Sequence, residues 1–360
     1  MERFCCNTNI ISGAGAVTAL ADLGIRRLML VTDPFFFKNG TAERIAALAK
    51  AEAVEVFHKI SPDPTVELAA EGTAAVRAFK PDTIVALGGG SAMDCAKAMA
   101  YFSGEKIRLV AIPTTSGSGS EVTDFAILTH GQVKYPLVDA ALRPGTAILD
   151  SDLLKELPPK LVADAGFDVL SHALEAYVAT GAGAITDALA ADAFATVYDC
   201  LPDSYRGQLQ VRLHIHTAAT MAGMAFTQAG LGLCHAMAHS LGGLFHLPHG
   251  RLNGILLPSV IRCNAAVTGE KYARLARLAG LGGSADTIAV RNLCNGLTRL
   301  RRALEMPATL AQAGVDPGEV RYRKNEIVQA VLADPCCNTN PVKVDASAVG
   351  AILDEVTGRV

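Results

Sequence analysis

The 360-residue sequence has no run of Lys or Arg and no marked excess of either charge. Its 32 basic residues stand against 35 acidic ones, a net charge of −3. That balance provides neither a basic groove for nucleic acid nor a polybasic patch for a membrane surface. No stretch reaches the roughly 18 uninterrupted apolar residues that a membrane span needs. The opening MERFCCNTNI lacks the apolar core of a secretory signal, so a cytoplasmic location is expected. Cysteine is present but not organised. The count is nine, an odd number, two pairs are vicinal, and no C-x-x-C spacing occurs. A disulfide framework or a thiolate zinc knot is therefore not expected, and reduced thiols are. What remains is half apolar and 19% charged, the composition of a compact chain long enough for two domains. The one basic cluster, Arg299, Arg301 and Arg302, falls in an apolar-periodic stretch and reads as the solvated side of a helix.

Over roughly the first 150 residues, short β-branched runs alternate with Ala- and Leu-rich helical patterns. The runs 28–32, 53–57, 83–87 and 109–112 read as strands, and 41–52 and 66–79 as helices. Such alternation argues for a parallel sheet wrapped by helices. Near Leu157-Pro158-Pro159 the composition changes, and segments of helical period take over (162–180, 185–201, 209–226, 232–246, 270–280 and 286–304). The expected organisation is an α/β domain over 1–156 and a helical domain over 157–360. In open α/β sheets ligands lie outside the carboxyl ends of the strands, so the cleft between the two is the expected active site.

Gly88, Gly89, Gly90 and Ser91 follow a strand and open a helix. Glycines there let backbone approach an anion, and the helix start offers N–H groups and a positive dipole end. The competing reading is an ordinary turn with Ser91 and Asp94 as a capping box. Pro113 to Glu121 ends the next strand and is rich in small hydroxyl residues and glycine, suited to wrapping a ribose and pyrophosphate or forming a plain loop. Asp33 closes the first strong strand. Its carboxylate could accept from a ribose 2′-hydroxyl and repel a 2′-phosphate, or it could serve the Asp-Pro turn.

The sharper signal lies further on. Asp168 and His172 stand four apart, which on a helix puts them on one face. His235 and His239 repeat that spacing, and His249 follows Pro248 at a helix boundary. Four of the nine histidines fall within the fifteen residues 235–249. One carboxylate with three imidazoles is a borderline ligand set, suited to Fe²⁺ or Zn²⁺ rather than Mg²⁺ or Ca²⁺. A lone histidine would read as a satisfied core residue. Four buried polar side chains without a shared partner would cost several kcal/mol, which favours a metal. His239, one turn beyond His235, reads as a fifth ligand or, in preference, as a residue that supports the ligands or relays a proton. His246 reads as pocket lining or surface, and His58, His130, His214 and His216 read as structural.

Together these segments resemble the iron-activated (group III) alcohol dehydrogenase family, over nearly the whole chain. The family's metal motif is Asp, His four later, His 63 after that and His 14 further on, and Asp168, His172, His235 and His249 reproduce it. Its GGGS turn followed by Asp and Lys appears as Gly88 to Ser91 with Asp94 and Lys97. Its Pro-Thr-Thr loop appears as Pro113, Thr114 and Thr115, with Ser118 and Thr123 beyond. Lys134 matches a family lysine that reaches the cofactor, and Asp33 its ribose-binding aspartate. The stretch from Glu121 to Lys134 is short for the family, and Asn340-Pro341 is followed by Val342 instead of Arg. The resemblance implies a Rossmann-like α/β domain before an all-α domain, in the dehydroquinate synthase-like superfold. It implies NAD(H) with Fe²⁺, Zn²⁺ being the alternative, and a homodimer. The implied reaction interconverts short-chain aldehydes and primary alcohols, propionaldehyde and 1-propanol favoured, with lactaldehyde, 1,3-propanediol and glycerol as alternatives. Runs such as Ala225–Leu233 and Phe245–Gly250 match members housed in bacterial microcompartments, which implies residence there through an enzyme partner. A metal hydrolase would leave Asp33 and both loops without a role, and a non-catalytic metal binder would take up metal without turnover.

Overall fold

A computed structural model describes residues 4–131 and 133–358; the first three residues, Gln132 and the last two lie outside it. The chain forms two compact units, one over Cys6–Leu157 and one from Pro158 onward, which Phe4 and Cys5 join.

The first unit contains, in chain order, β1 (Asn9–Gly13), β2 (Arg27–Thr32), α1 (Pro34–Lys38), α2 (Thr41–Leu48), β3 (Ala53–Phe57), α3 (Val66–Phe79), β4 (Thr83–Gly88), α4 (Gly90–Ser103), β5 (Arg108–Pro113), β6 (Phe125–His130), β7 (Val133–Val138) and β8 (Thr146–Asp150). Six of the strands make one parallel sheet, ordered β1-β8-β5-β4-β2-β3, while β6 and β7 form an antiparallel hairpin apart from it. Alternate residues of β2 and β4 face opposite ways. Met29, Val31, Ile84 and Ala86 pack with Val76 of α3 and Met99 of α4. Leu28, Leu30, Val85 and Leu87 pack with Leu20, Ala42 and Ile45 on the other side. With both faces covered, these strands need no polar side, which is why they read as continuous apolar runs.

The second unit is helical, with no strand among its described residues: α5 (Pro159–Val178), α6 (Ala184–Tyr205), α7 (Arg212–Ala229), α8 (Leu233–Phe245), α9 (His249–Leu278), α10 (Asp286–Ala303), α11 (Pro317–Tyr322), α12 (Lys324–Ala333) and α13 (Ala346–Thr357). The α/β unit and the helical unit are the fold class that the sequence implies.

Arg301 departs from the sequence expectation. It is buried, not on the solvated face, and its Nη1 donates to Gly254 O at 3.0 Å. The reason lies in α9, which runs through Pro258. Proline has no N–H, so the carbonyl four residues earlier, that of Gly254, loses its helical donor. The guanidinium of Arg301 replaces it. We expect Arg301→Met to cost about 1–3 kcal/mol, the penalty of a buried acceptor left unsatisfied. Urea unfolding monitored by circular dichroism measures it, and unchanged stability would contradict the compensation.

Candidate metal and cofactor sites

Asp168, His172, His235 and His249 converge within the helical unit. Helix α5 supplies Asp168 and His172, α8 supplies His235, and His249 is the first residue of α9. From Asp168 Oδ1 to Nε2 the separations are 3.9 Å for His172, 3.9 Å for His235 and 3.6 Å for His249. These are too long for hydrogen bonds. Two ligand atoms each about 2.1 Å from a shared tetrahedral ion stand roughly 3.4 Å apart, close to what is seen. His235 Nε2 is buried and has no hydrogen-bond partner. The His172 and His235 rings stack, with centroids 4.6 Å apart. Burial pushes the Asp168 carboxyl above its usual range, against the pull of His172 and Asn253. A cation in this space would relieve both the orphaned nitrogen and the buried carboxylate, so the donor set fits a divalent metal.

The residues behind the ligands were not singled out from sequence. Glu175 is almost fully buried on α5, and its Oε2 accepts from His235 Nδ1 at 2.6 Å. The same carboxylate accepts from the N–H groups of Gly232, Cys234 and His235, at the start of α8. With Nδ1 donating to Glu175, the lone pair of His235 is at Nε2, on the Asp168 side. Such a carboxylate fixes the tautomer and ring orientation of a histidine ligand. Asn253 Nδ2 donates to Asp168 Oδ1 at 2.9 Å, orienting the other donor. Asn340 Oδ1 accepts from Leu233 N at 3.1 Å, so the C-terminal Asn-Pro segment also anchors α8. A usable signal for Glu175 was present: positions 168, 172 and 175 share one face of an otherwise apolar helix.

Burial pushes the Glu175 carboxyl up to about 7, with the three backbone N–H groups pulling it back. Metal uptake should therefore release protons and weaken as the pH falls through 7, because the protonated acid no longer supports His235. Glu175→Gln keeps the shape but cannot accept from Nδ1–H with its amide nitrogen. We expect it to weaken metal binding by roughly 10–100-fold while the fold persists. Chelator competition beside thermal unfolding measures both, and wild-type metal affinity would rule out the orienting role.

His239 Nδ1 lies 2.9 Å from Asp334 Oδ2, and its ring stacks on His249 with centroids 5.2 Å apart. Burial raises the Asp334 carboxyl, but the His239 bond and the Cys336 N–H outweigh it and hold it below the usual range. His246 closes α8 in the left-handed region, its φ being 53°.

In the α/β unit the two Gly-rich loops lie against each other at the ends of β4 and β5. Thr114 N–H donates to Gly88 O at 3.0 Å. Gly88 has φ +154°, and a Cβ there would stand 2.6 Å from Ala92 Cβ. A Cβ on Gly89 would come within 3.1 Å of Thr115 Oγ1, and one on Gly90 within 3.1 Å of Ser118 Cβ. Gly89 caps α4 with no side-chain bond, so the Ser91–Asp94 capping box does not form. The bare helix start with hydroxyls beside it fits an anionic phosphate group.

Two residues expected beside that ligand point elsewhere. Asp94 accepts from Ser120 Oγ at 2.6 Å and Ile127 N at 3.1 Å, so both its oxygens brace the loop and the hairpin. Thr123 is fully buried, and its hydroxyl accepts from Lys97 Nζ at 2.9 Å. Burial lowers Lys97 to about 8, against the attraction of Asp94 and Glu121. These three hold the hairpin to α4. Lys134 pairs with Asp63 at 2.6 Å. Asp33 caps α1, its Oδ1 accepting from Phe35 N at 2.8 Å and Phe36 N at 3.0 Å, and Oδ2 makes no such cap bond.

Residues 7–151 match the iron-containing alcohol dehydrogenase family, and residues 162–357 match the C-terminal part of the Fe-containing alcohol dehydrogenase family. The 1-propanol dehydrogenase of Citrobacter freundii is 41% identical over 99% of this chain and 100% of its own. The NADPH-dependent butanol dehydrogenase of Clostridium saccharobutylicum is 36% identical over 98% and 97%. Among solved structures, sulfoacetaldehyde reductase from Bifidobacterium kashiwanohense in complex with NAD⁺ superposes with a TM-score of 0.89 at 27% identity, covering 99% of this chain and 98% of that one. The ligand geometry, the fold and these full-length likenesses agree: the chain belongs to the iron-containing alcohol dehydrogenase family.

Proposed function

We propose that this alcohol dehydrogenase uses NADH and Fe²⁺ to interconvert short-chain aldehydes and primary alcohols, with propionaldehyde and 1-propanol as its pair. The observation that carries the reading is the convergence of Asp168, His172, His235 and His249, with His235 Nε2 buried and unpartnered at its centre. When bound, the iron supplies Lewis acidity toward the substrate oxygen and NADH supplies the hydride. Glu175 and Asn253 hold the ligands in register. Gly88, Gly89, Gly90, Ser91, Thr114, Thr115 and Ser118 cradle the pyrophosphate. His239, its Nδ1 committed to Asp334, passes the proton at Nε2. Asp334 remains ionised and steadies the imidazolium that forms.

One relative is NADPH-dependent and one structural neighbour holds NAD⁺, so cofactor choice must come from this chain's own residues. Asp33 supports NADH, since its carboxylate would repel a 2′-phosphate. The likeness to a 1-propanol dehydrogenase supports the three-carbon pair. No described helix is long and apolar enough to cross a membrane. A homodimer in the cytoplasm, held in a bacterial microcompartment by a partner enzyme, completes the proposal.

The test follows NADH and NADPH absorbance over aldehydes of increasing length. Propionaldehyde should be reduced with NADH preferred, and Asp33→Gly should shift the NADPH/NADH ratio of kcat/KM upward by about 10-fold or more, on the order of 1.4 kcal/mol. A wild type that prefers NADPH would overturn the cofactor assignment, and a maximum at another chain length would overturn the substrate.

A further inference from the structure

A second group of ligating side chains lies beside the first. His239, Asp334 and Cys336 bring a ring nitrogen, a carboxylate oxygen and a sulfur within 4.8 Å of one another. His239 comes from α8, while Asp334 and Cys336 flank Pro335 in the turn after α12. The cluster is prearranged. Asp334 Oδ1 accepts from Cys336 N at 2.8 Å, which fixes the cysteine backbone against the carboxylate, and Oδ2 faces His239 Nδ1 at 2.9 Å. All three residues are partly exposed, and because burial and the Asp334 carboxylate push the Cys336 thiol well above its usual range, its proton leaves only when a cation takes its place. The donors differ in kind from the Asp168 set. A sulfur disfavours hard cations, and one nitrogen, one oxygen and one sulfur suit Zn²⁺ and similar borderline or soft ions, with a place left for water.

We propose that His239, Asp334 and Cys336 form a second metal site for a thiophilic divalent cation of the Zn²⁺ type, and that filling it inhibits the enzyme. Binding replaces the His239–Asp334 hydrogen bond and releases the Nδ1 proton of His239 and the thiol proton of Cys336 to solvent. It draws His239 away from proton transfer. This second half rests on the role proposed for His239 above, whereas the binding half does not.

The experiment uses the full chain loaded anaerobically with Fe²⁺, then titrated with Co²⁺ as a spectroscopic probe and with Zn²⁺ as inhibitor. The Asp168 set holds no sulfur, so a sulfur-to-cobalt charge-transfer band in the near ultraviolet comes from a thiolate, and its loss with Cys336 in a Cys5→Ser, Cys6→Ser background assigns it to the second site. We expect that band, with one further equivalent of metal per chain. Both should be lost in Cys336→Ser and Cys336→Ala and kept in Cys337→Ser. Zinc inhibition should be weaker by about 100-fold or more in Cys336→Ser, at least the upper end of what losing an indirect partner of a metal costs. No band, or a band that survives both Cys336 substitutions, overturns the site. A band without zinc inhibition overturns the regulatory half. Failure of the Asp168 set to take up iron would defeat the proposed function, while the cobalt band would still establish this site.

Discussion

His235→Ala is expected to lose bound iron and aldehyde reduction together, with kcat/KM falling by at least about 10³. That figure is the factor corresponding to the several kcal/mol a Lewis-acidic metal contributes. Three features make His235 the most sensitive of the four ligands. Its Nε2 is buried without a hydrogen-bond partner, its Nδ1 is fixed by Glu175, and its ring stacks on His172. His239→Asn is the informative contrast. It should retain the iron, because His239 stands outside the Asp168 set, and should lose about 10²–10⁴ in kcat, the range for a missing general acid or base. Metal analysis beside steady-state kinetics separates the two. A His235→Ala protein that keeps both its iron and its activity would remove His235 from the metal set.

Gly250→Ala is expected to damage both stability and turnover. A Cβ at this position would lie 1.9 Å from Asp164 O and 3.2 Å from Asp168 Cβ. The obstacle is backbone, which cannot rotate away as a side chain can. The two segments are also clamped. Arg251 grips the Asp164 carboxylate through Nε at 3.2 Å and Nη2 at 2.8 Å, a two-pronged contact that resists separation. The start of α9 must therefore shift, taking His249 with it. We expect destabilisation of about 3 kcal/mol, the upper end for overpacking a well-filled interior. At about 2–4 °C per kcal/mol for a body of 150–250 residues, the Tm should drop by roughly 10 °C. A displacement of about 1 Å at the metal should lower kcat/KM by about 100-fold. A wild-type Tm with wild-type turnover would mean that α9 does not need its close approach to α5.

The parts legible in the sequence are those in which one segment carries its own periodicity. β2, β4 and β5 are buried on both faces and read as apolar runs, while the edge strand β3 was legible from its β-branched residues despite Glu55. Asp168 and His172 share a helix, so their spacing alone puts them on one face. Elements whose stability is not local were harder to read. β1 is a short edge strand with an unremarkable composition, and β8 is equally short. The β6–β7 hairpin carries Pro136 in its second strand. The first half of α9 was hidden because Pro258 normally interrupts a helix, and the compensating Arg301 lies 47 residues from Gly254 in sequence. The same donor explains why a basic cluster expected in solvent has one member inside. Asp94, Thr123 and Lys97 matched a motif, but spacing does not say that Lys97 binds Thr123 while Asp94 braces the loop and the hairpin. Glu175 resembled any helical acid until its carboxylate met His235, 60 residues away.

The central claim is that Asp168, His172, His235 and His249 hold the ion that turnover requires. The direct measurement is anaerobic reconstitution: strip the protein with chelator, add Fe²⁺ in increments, and measure bound iron and propionaldehyde-dependent NADH oxidation on the same samples, with Asp168→Ala in parallel. No activity is expected without metal, with recovery in proportion to bound iron up to one equivalent per chain, and neither tight binding nor recovery in Asp168→Ala. Full activity in the stripped protein, or an Asp168→Ala protein that binds iron and turns over like the wild type, would contradict that claim.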